Sequence, residues 1–272
     1  MTCVRAEIKE YQLYINRGTY TAVNQTTFPA LALNTDSVYS PYNAVITVSP
    51  GDTLRLWITN MDSLTYGFTM KGLSDLVLSV SPGTTGMIEL PIKSEGIFLY
   101  HDAFDVPNTS YLGFAGMIVS STSKHKTYYW NIHEYQASWN DSLMRGGQVD
   151  WSTYEPDYFT INGKSYPDIQ SDSTARVTAS VGDTVLICLA NTGQSMHSIH
   201  FHGFHTTSLH SSDPSITVGW SKDTWAFRRM TGAVLQLVVD KPGHYSVHDH
   251  NLVAVSGGRT HPNGMFLIME MK

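Results

Sequence analysis

The sequence predicts an all-β chain of two tandem Greek-key β-sandwiches, and three observations predict it. Apolar residues alternate or cluster in short runs bounded by turn residues, no long stretch has helical periodicity, and the chain repeats itself. Ala44-Val-Ile-Thr-Val-Ser, Thr53-Leu-Arg-Leu-Trp-Ile-Thr and Gly96-Ile-Phe-Leu-Tyr are each flanked by Gly, Pro, Asn, Asp or Ser. Many short strands punctuated in this way imply a sandwich or barrel.

The repeat divides the chain. Gly51-Asp-Thr-Leu-Arg-Leu-Trp-Ile-Thr-Asn60 aligns without a gap on Gly182-Asp-Thr-Val-Leu-Ile-Cys-Leu-Ala-Asn191, and the match runs on to Gly72 against Gly203. Glu95-Gly-Ile-Phe-Leu-Tyr-His101-Asp102 then aligns on Pro242-Gly-His-Tyr-Ser-Val-His248-Asp249, and Gly116-Met117 on Gly264-Met265. Three blocks in one order mean two copies of one domain. They are expected at residues 1–122 and 123–272, divided in the polar stretch Ser120 to Lys126, with the second opening on Thr127-Tyr-Tyr-Trp-Asn-Ile. A chain of 272 residues accommodates two domains of about 130 residues, each with its own core.

Composition narrows the function. Seventeen basic against 23 acidic residues give a net charge of -6, and no Lys/Arg run forms a phosphate-tracking stripe, so nucleic acid is not an expected partner. No stretch approaches the roughly 20 apolar residues of a membrane span. The N-terminus, Met1-Thr-Cys-Val-Arg5, lacks the apolar core of a signal peptide, so the expectation is a cytosolic chain or one whose export signal has been removed. Two cysteines, Cys3 and Cys188, exclude a disulfide framework, and Cys188 lies in the apolar run Val185 to Ala190 as a buried small hydrophobe. Asn24-Gln-Thr, Asn108-Thr-Ser and Asn140-Asp-Ser fit the glycosylation triplet, which often arises by chance.

Nine of the 12 histidines fall between His197 and His261. In the repeat His197 faces Tyr66, His200 faces Thr69, His202 faces Lys71 and His250 faces Ala103; only His248 keeps its partner, His101. The first copy is expected to fold without these imidazoles, so in the second they read as chemistry. His200-Phe-His202 and His248-Asp-His250 are His-x-His pairs on predicted strands, whose period of two turns both members of a pair to one face. Imidazole suits Cu, Zn, Fe and Ni, and one ion can draw two ligands from each of two adjacent strands. His197 and His205 flank the first pair. His125 is expected in a solvated linker, and His133-Glu134 and His210 at the surface or an interface.

His197-Ser-Ile-His200-Phe-His202-Gly203 resembles the histidine motif in the last domain of the multicopper oxidases: laccases, ceruloplasmin and their two-domain bacterial relatives. Tyr245-Ser-Val-His248-Asp-His250, followed by Gly264-Met265, resembles the family's closing His-Cys-His block with its later His and axial Met. Tyr158-Phe-Thr-Ile-Asn-Gly163 resembles the opening of that domain. The resemblance implies cupredoxin-like domains, a type 1 copper at the first His of the motif, and a trinuclear cluster at the other two.

The departures are specific. A type 1 copper takes a thiolate, whereas Asp249 stands in that slot and Asp102 stands there in the first copy. The family's cluster takes four His-x-His pairs from two domains, and here one domain supplies both pairs. Neither an ordinary laccase nor a copper nitrite reductase is therefore expected. Asp249 could join His197, His261 and Met265 as a harder remnant of the type 1 site, or only orient an imidazole or cap a turn. Met265 also reads as core, since Met117 holds the same place in the first copy, and His261 follows the insertion Ser256-Gly-Gly-Arg-Thr.

The expectation is a copper-dependent oxidoreductase with a copper site on His200, His202, His248 and His250, acting on dioxygen or another small-molecule substrate. The alternatives are a copper-sequestering protein without turnover and a structural cupredoxin-like module. The resemblance also implies a periplasmic or secreted location, with the N-terminus leaving the cytosol open. It further implies a homotrimer in which the second domain of one subunit faces the first of its neighbour, bringing His101 near the histidine cluster as an added ligand or support.

Overall fold

The computed structural model describes residues 6–272; Met1 to Arg5, with Cys3 and the N-terminal reading, lie outside them. The first sandwich contains β1 (Ile8–Thr21), β2 (Thr27–Asn34), β3 (Ile46–Val48), β4 (Thr53–Asn60), β5 (Tyr66–Lys71), β6 (Ser74–Val80), β7 (Thr85–Pro91), β8 (Gly96–Asp102) and β9 (Ala115–Ser120). These form one sheet in the order β2-β1-β4-β7 and another in the order β3-β9-β8-β5-β6.

The second sandwich begins with β10 (Lys126–Tyr135), β11 (Tyr158–Ile161), β12 (Thr178–Ala179), β13 (Thr184–Asn191), β14 (His197–Phe201) and β15 (Thr206–Ser211). It continues with β16 (Ser221–Lys222), β17 (Thr224–Phe227), β18 (Thr231–Val238), β19 (Gly243–Asp249) and β20 (Phe266–Met271). Its sheets run β11-β10-β13-β18-β15-β16 and β12-β20-β19-β14-β17. The chain is two tandem cupredoxin-like sandwiches, as the strand punctuation predicts.

Period-two patterning builds the cores. Along β4 the residues Leu54, Leu56, Ile58 and Asn60 turn inward and their neighbours outward. Trp130, Ile187, Ile199, Phe201 and Trp225 lie at the centre of the second core. A third apolar cluster joins the sandwiches, with Ile97, Leu99, Met117 and Val119 packed together with Leu186, Cys188, Ala190 and Val234. Cys188 is wholly buried there, and burial pushes its thiol up to about 12, far from a reactive thiolate.

The copies agree in register as well as in sequence. Thr69 pairs with His101 across β5 and β8, and His200 pairs with His248 across β14 and β19. The turn glycines agree too: Gly51 and Gly182 both adopt φ 95°, and Gly72 and Gly203 adopt 81° and 75°, a left-handed backbone that glycine enters without a Cβ clash. The helices are short. One, α1 (Asn108–Tyr111), follows β8, and α2 (Ala137–Met144) lies between β10 and β11, where its Leu143 and Met144 complete the first core. Asn140 on α2 is fully buried, donating to Pro29 O and accepting from Tyr111 Oη, which removes it as a glycosylation acceptor.

Candidate metal centre

The four candidate ligands gather at one end of the paired strands β14 and β19. His200 and His248 sit within the strands, directly opposite one another, while His202 and His250 lie one residue past the strand ends. The His200 and His202 rings are 4.6 Å apart between centroids, His202 and His248 5.0 Å, His200 and His250 5.6 Å, and His200 and His248 5.9 Å. The sequence pattern of two His-x-His pairs on one face is thus realised as a cluster of four imidazoles. His202 and His250 are exposed and the strand members half-buried, so one side of the cluster is open to solvent.

Backbone and hydroxyl groups orient the rings. His248 Nδ1 donates to Asp249 O at 2.8 Å, which leaves its Nε2 as the base, and His202 Nε2 donates to that atom at 2.9 Å. His200 Nδ1 is 2.8 Å from Thr224 Oγ1 on β17. Partial loss of solvent and the neighbouring His200, His248 and His250 rings hold the basicity of His202 below the usual histidine value, which favours the neutral form that ligates metal. Among the described residues, no three His, Cys, Asp or Glu side chains already enclose a common point as a ligand cage.

Asp249 faces the other way. Its Oδ2 lies 2.5 Å from His197 Nδ1, and its Oδ1 accepts from the backbone N–H groups of Ser198 and Asn251. Its carboxylate thus contacts an imidazole and accepts from the backbone at the end of β19. His197 Nε2 is bonded at 2.9 Å to Glu134 Oε2 on β10, and all three side chains are inaccessible to solvent.

Glu134 is the residue that sequence reasoning missed. Of the surface or interface position expected for His133-Glu134, the surface alternative is corrected: Glu134 is fully buried and His133 nearly so, and His133 meets Tyr111 of the first sandwich. His133 Nε2 donates to Tyr111 O at 2.8 Å, and Glu134 Oε1 accepts from Gln194 N, Ser195 N and Tyr154 Oη.

The remaining candidates separate from both groups. His261 is exposed, with Nδ1 3.1 Å from Val255 O, and His205 is exposed. Met265 is buried within the second core. His101 lies in the first sandwich, where its Nδ1 donates to Asp102 O at 2.7 Å, the same contact that His248 makes. His210 meets Glu95 of the first sandwich at 3.4 Å, an interface position as expected.

Residues 142–262, which contain all four histidines, match the family model described as multicopper oxidase. The match covers most of the second sandwich, and Asp249 stands between the two histidines of its second His-x-His pair.

Solved structures share the whole fold. A blue copper oxidase from Nitrosomonas europaea is 21% identical with a TM-score of 0.82, covering 97% of this chain and 86% of that one. The multicopper oxidase mgLAC is 20% identical with a TM-score of 0.81, covering 98% and 87%. A copper nitrite reductase from Nitrosomonas europaea is 17% identical with a TM-score of 0.75, covering 97% and 94%. No curated protein matches the chain.

Proposed function

We propose that the chain is a copper-dependent oxidoreductase whose copper is held by His200, His202, His248 and His250, without a blue copper centre. The observation that carries this reading is the cluster itself, four imidazoles on adjacent strands with His202 Nε2 and His248 Nε2 at 2.9 Å. His202 Nε2 and His248 Nε2 would both be free to hold an ion once the proton between them is released. The donor set fits copper, for which imidazole is a suitable ligand. Bound copper would supply one-electron redox chemistry with a small oxidant such as dioxygen.

The residues of the chain do the rest. Asp249 O and Thr224 Oγ1 hold the rings of His248 and His200 by their Nδ1 atoms and turn each Nε2 toward the cluster, the outer support that metal-binding histidines commonly have. The exposed side at His202 and His250 leaves room for a small molecule, which favours turnover over a closed sequestering site. The same open side suits a homotrimer in which His101 of a neighbouring copy approaches the cluster. A periplasmic or secreted location accords with the superfamily.

Metal content per chain with an electron paramagnetic resonance spectrum tests the assignment. The expected result is a nitrogen-ligated Cu(II) signal, or an EPR-silent pair if the site is coupled, with no intense thiolate absorption. Unchanged metal content in the His202→Ala/His250→Ala double variant would sink it. Light scattering tests the trimer, which a mass near one 30.2 kDa chain would eliminate.

A further inference from the structure

Both sandwiches carry an ionic clasp at one topological position, built with opposite charges. In the first, β1 runs parallel to β4 with Ile15 opposite Asn60; in the second, β10 runs parallel to β13 with Ile132 opposite Asn191. Two residues further on, Arg17 and Glu134 hold equivalent places. Asn60 and Asn191 shape the same turn: the side-chain amide of Asn60 donates to Leu64 O and Val80 O, and that of Asn191 to Ser195 O and Phe227 O. Asp62 and Gly193 are therefore equivalent, as are Tyr66 and His197.

In the first sandwich Arg17 Nη2 meets Asp62 Oδ2 at 2.7 Å, and Tyr66 Oη donates to the same oxygen at 2.5 Å. In the second the acid comes from the strand, as Glu134, and the base is His197. Glycine at the turn makes room for the acid, because a Cβ on Gly193 would displace the Glu134 carboxylate. The position ties three segments of backbone together in both copies.

The superfamily resemblance places a type 1 copper beside His197 and the residue in the Asp249 slot, and the donors present do not fit it. Asp249 has no thiolate to offer, Met265 is part of the apolar core and His261 is exposed. Both ring nitrogens of His197 are engaged by carboxylates on opposite edges, and the remaining oxygen of each carboxylate is taken by N–H groups. An ion could reach either nitrogen only by breaking a fully buried charge pair.

We propose that Glu134, His197 and Asp249 form a clasp that takes the place of the type 1 copper and is closed to metal, a reversed-charge counterpart of Arg17, Asp62 and Tyr66. Its function is to bind β10, β14 and β19 to one another, and so to fix the two strands that carry the histidine cluster. The inference goes beyond the copper reading and does not depend on it.

The test uses the full chain and the metal alone. Long-range ¹⁵N NMR of the histidine rings at neutral pH should find protons on both nitrogens of His197, and titration with diamagnetic Cu(I) should leave those resonances in place. Copper per chain should vanish in His202→Ala/His250→Ala, and the His197 ring resonances should be unmoved in that variant, which leaves the clasp intact. A single protonated nitrogen on His197 overturns the clasp, as does displacement of its ring resonances by Cu(I), whereas copper that survives in the His202→Ala/His250→Ala variant counts against the four-histidine reading. If wild type takes up no copper the four-histidine reading falls, and the ring-nitrogen measurement still decides the clasp without any variant having to fold.

Discussion

The end of β8 in the first sandwich and the end of β19 in the second have the same register and the same His-Asp pair, yet only the second is surrounded by imidazoles. In both, the aspartate caps the strand end, and Asp249 also bonds His197. Asp102 accepts from Gly67 N, Asp105 N and Thr109 Oγ1, and Asp249 accepts from Ser198 N and Asn251 N. Buried backbone donors need such partners wherever the strand ends, so the carboxylate belongs to the fold. The imidazoles do not. Thr69 donates to the carbonyl of Leu76, and Lys71, at the place of His202, reaches across to Met230 O at 2.7 Å. The first sandwich uses for contact with its neighbour a position that the second uses for a candidate ligand.

The comparison is broken most severely at the cluster. Loss of a group that merely supports a metal ligand costs about 10- to 100-fold in affinity, so His202→Ala/His250→Ala should lose at least that much copper affinity by metal titration. His101→Ala in the same assay tests the proposed trimer, since unchanged affinity and spectrum remove His101 from the site.

The clasps come next. Glu134→Ala strands His197 and Asp249 in the interior and should cost about 3–5 kcal/mol, the range for breaking a buried pair. Arg17→Ala should cost less, about 1–2 kcal/mol, because Arg17 is 32% exposed and Asp62 keeps its bond from Tyr66. Denaturant midpoints of the two variants compare them directly.

A smaller effect is the pH dependence. Burial opposes charge on His197, but Glu134 and Asp249 outweigh it and raise its pKa from 6.5 to about 9. Burial likewise opposes charge on Glu134, but the field and hydrogen bond of His197 hold its carboxyl below the usual value of 4.5. A raised histidine contributes fully below its unfolded value and loses that contribution as pH passes upward through about 9. A lowered carboxyl contributes above its unfolded value and loses that contribution as pH falls through its folded one. Stability should therefore fall on the alkaline side near pH 9, and Glu134→Gln should flatten that limb. Lys71→Met should show the least, about 0.5–1.5 kcal/mol for one hydrogen bond across the joint.

The sequence by itself determined the sandwiches, their repetition, and the candidate status of His200, His202, His248 and His250. These are local properties: strand alternation sets which face a side chain takes, and an internal repeat shows which residues the fold can spare. Asp249 was legible only as two alternatives, because its partners could not be read from the strand that carries it. Glu134 was hidden for a stronger reason. A His-Glu pair at a strand end looks like surface, and its burial depends on a histidine 63 residues away, a glycine that makes room and a Tyr154 hydroxyl that closes the set. Tertiary structure alone decided that an acid could lie there, since a buried charge persists only where distant partners replace the water it has lost.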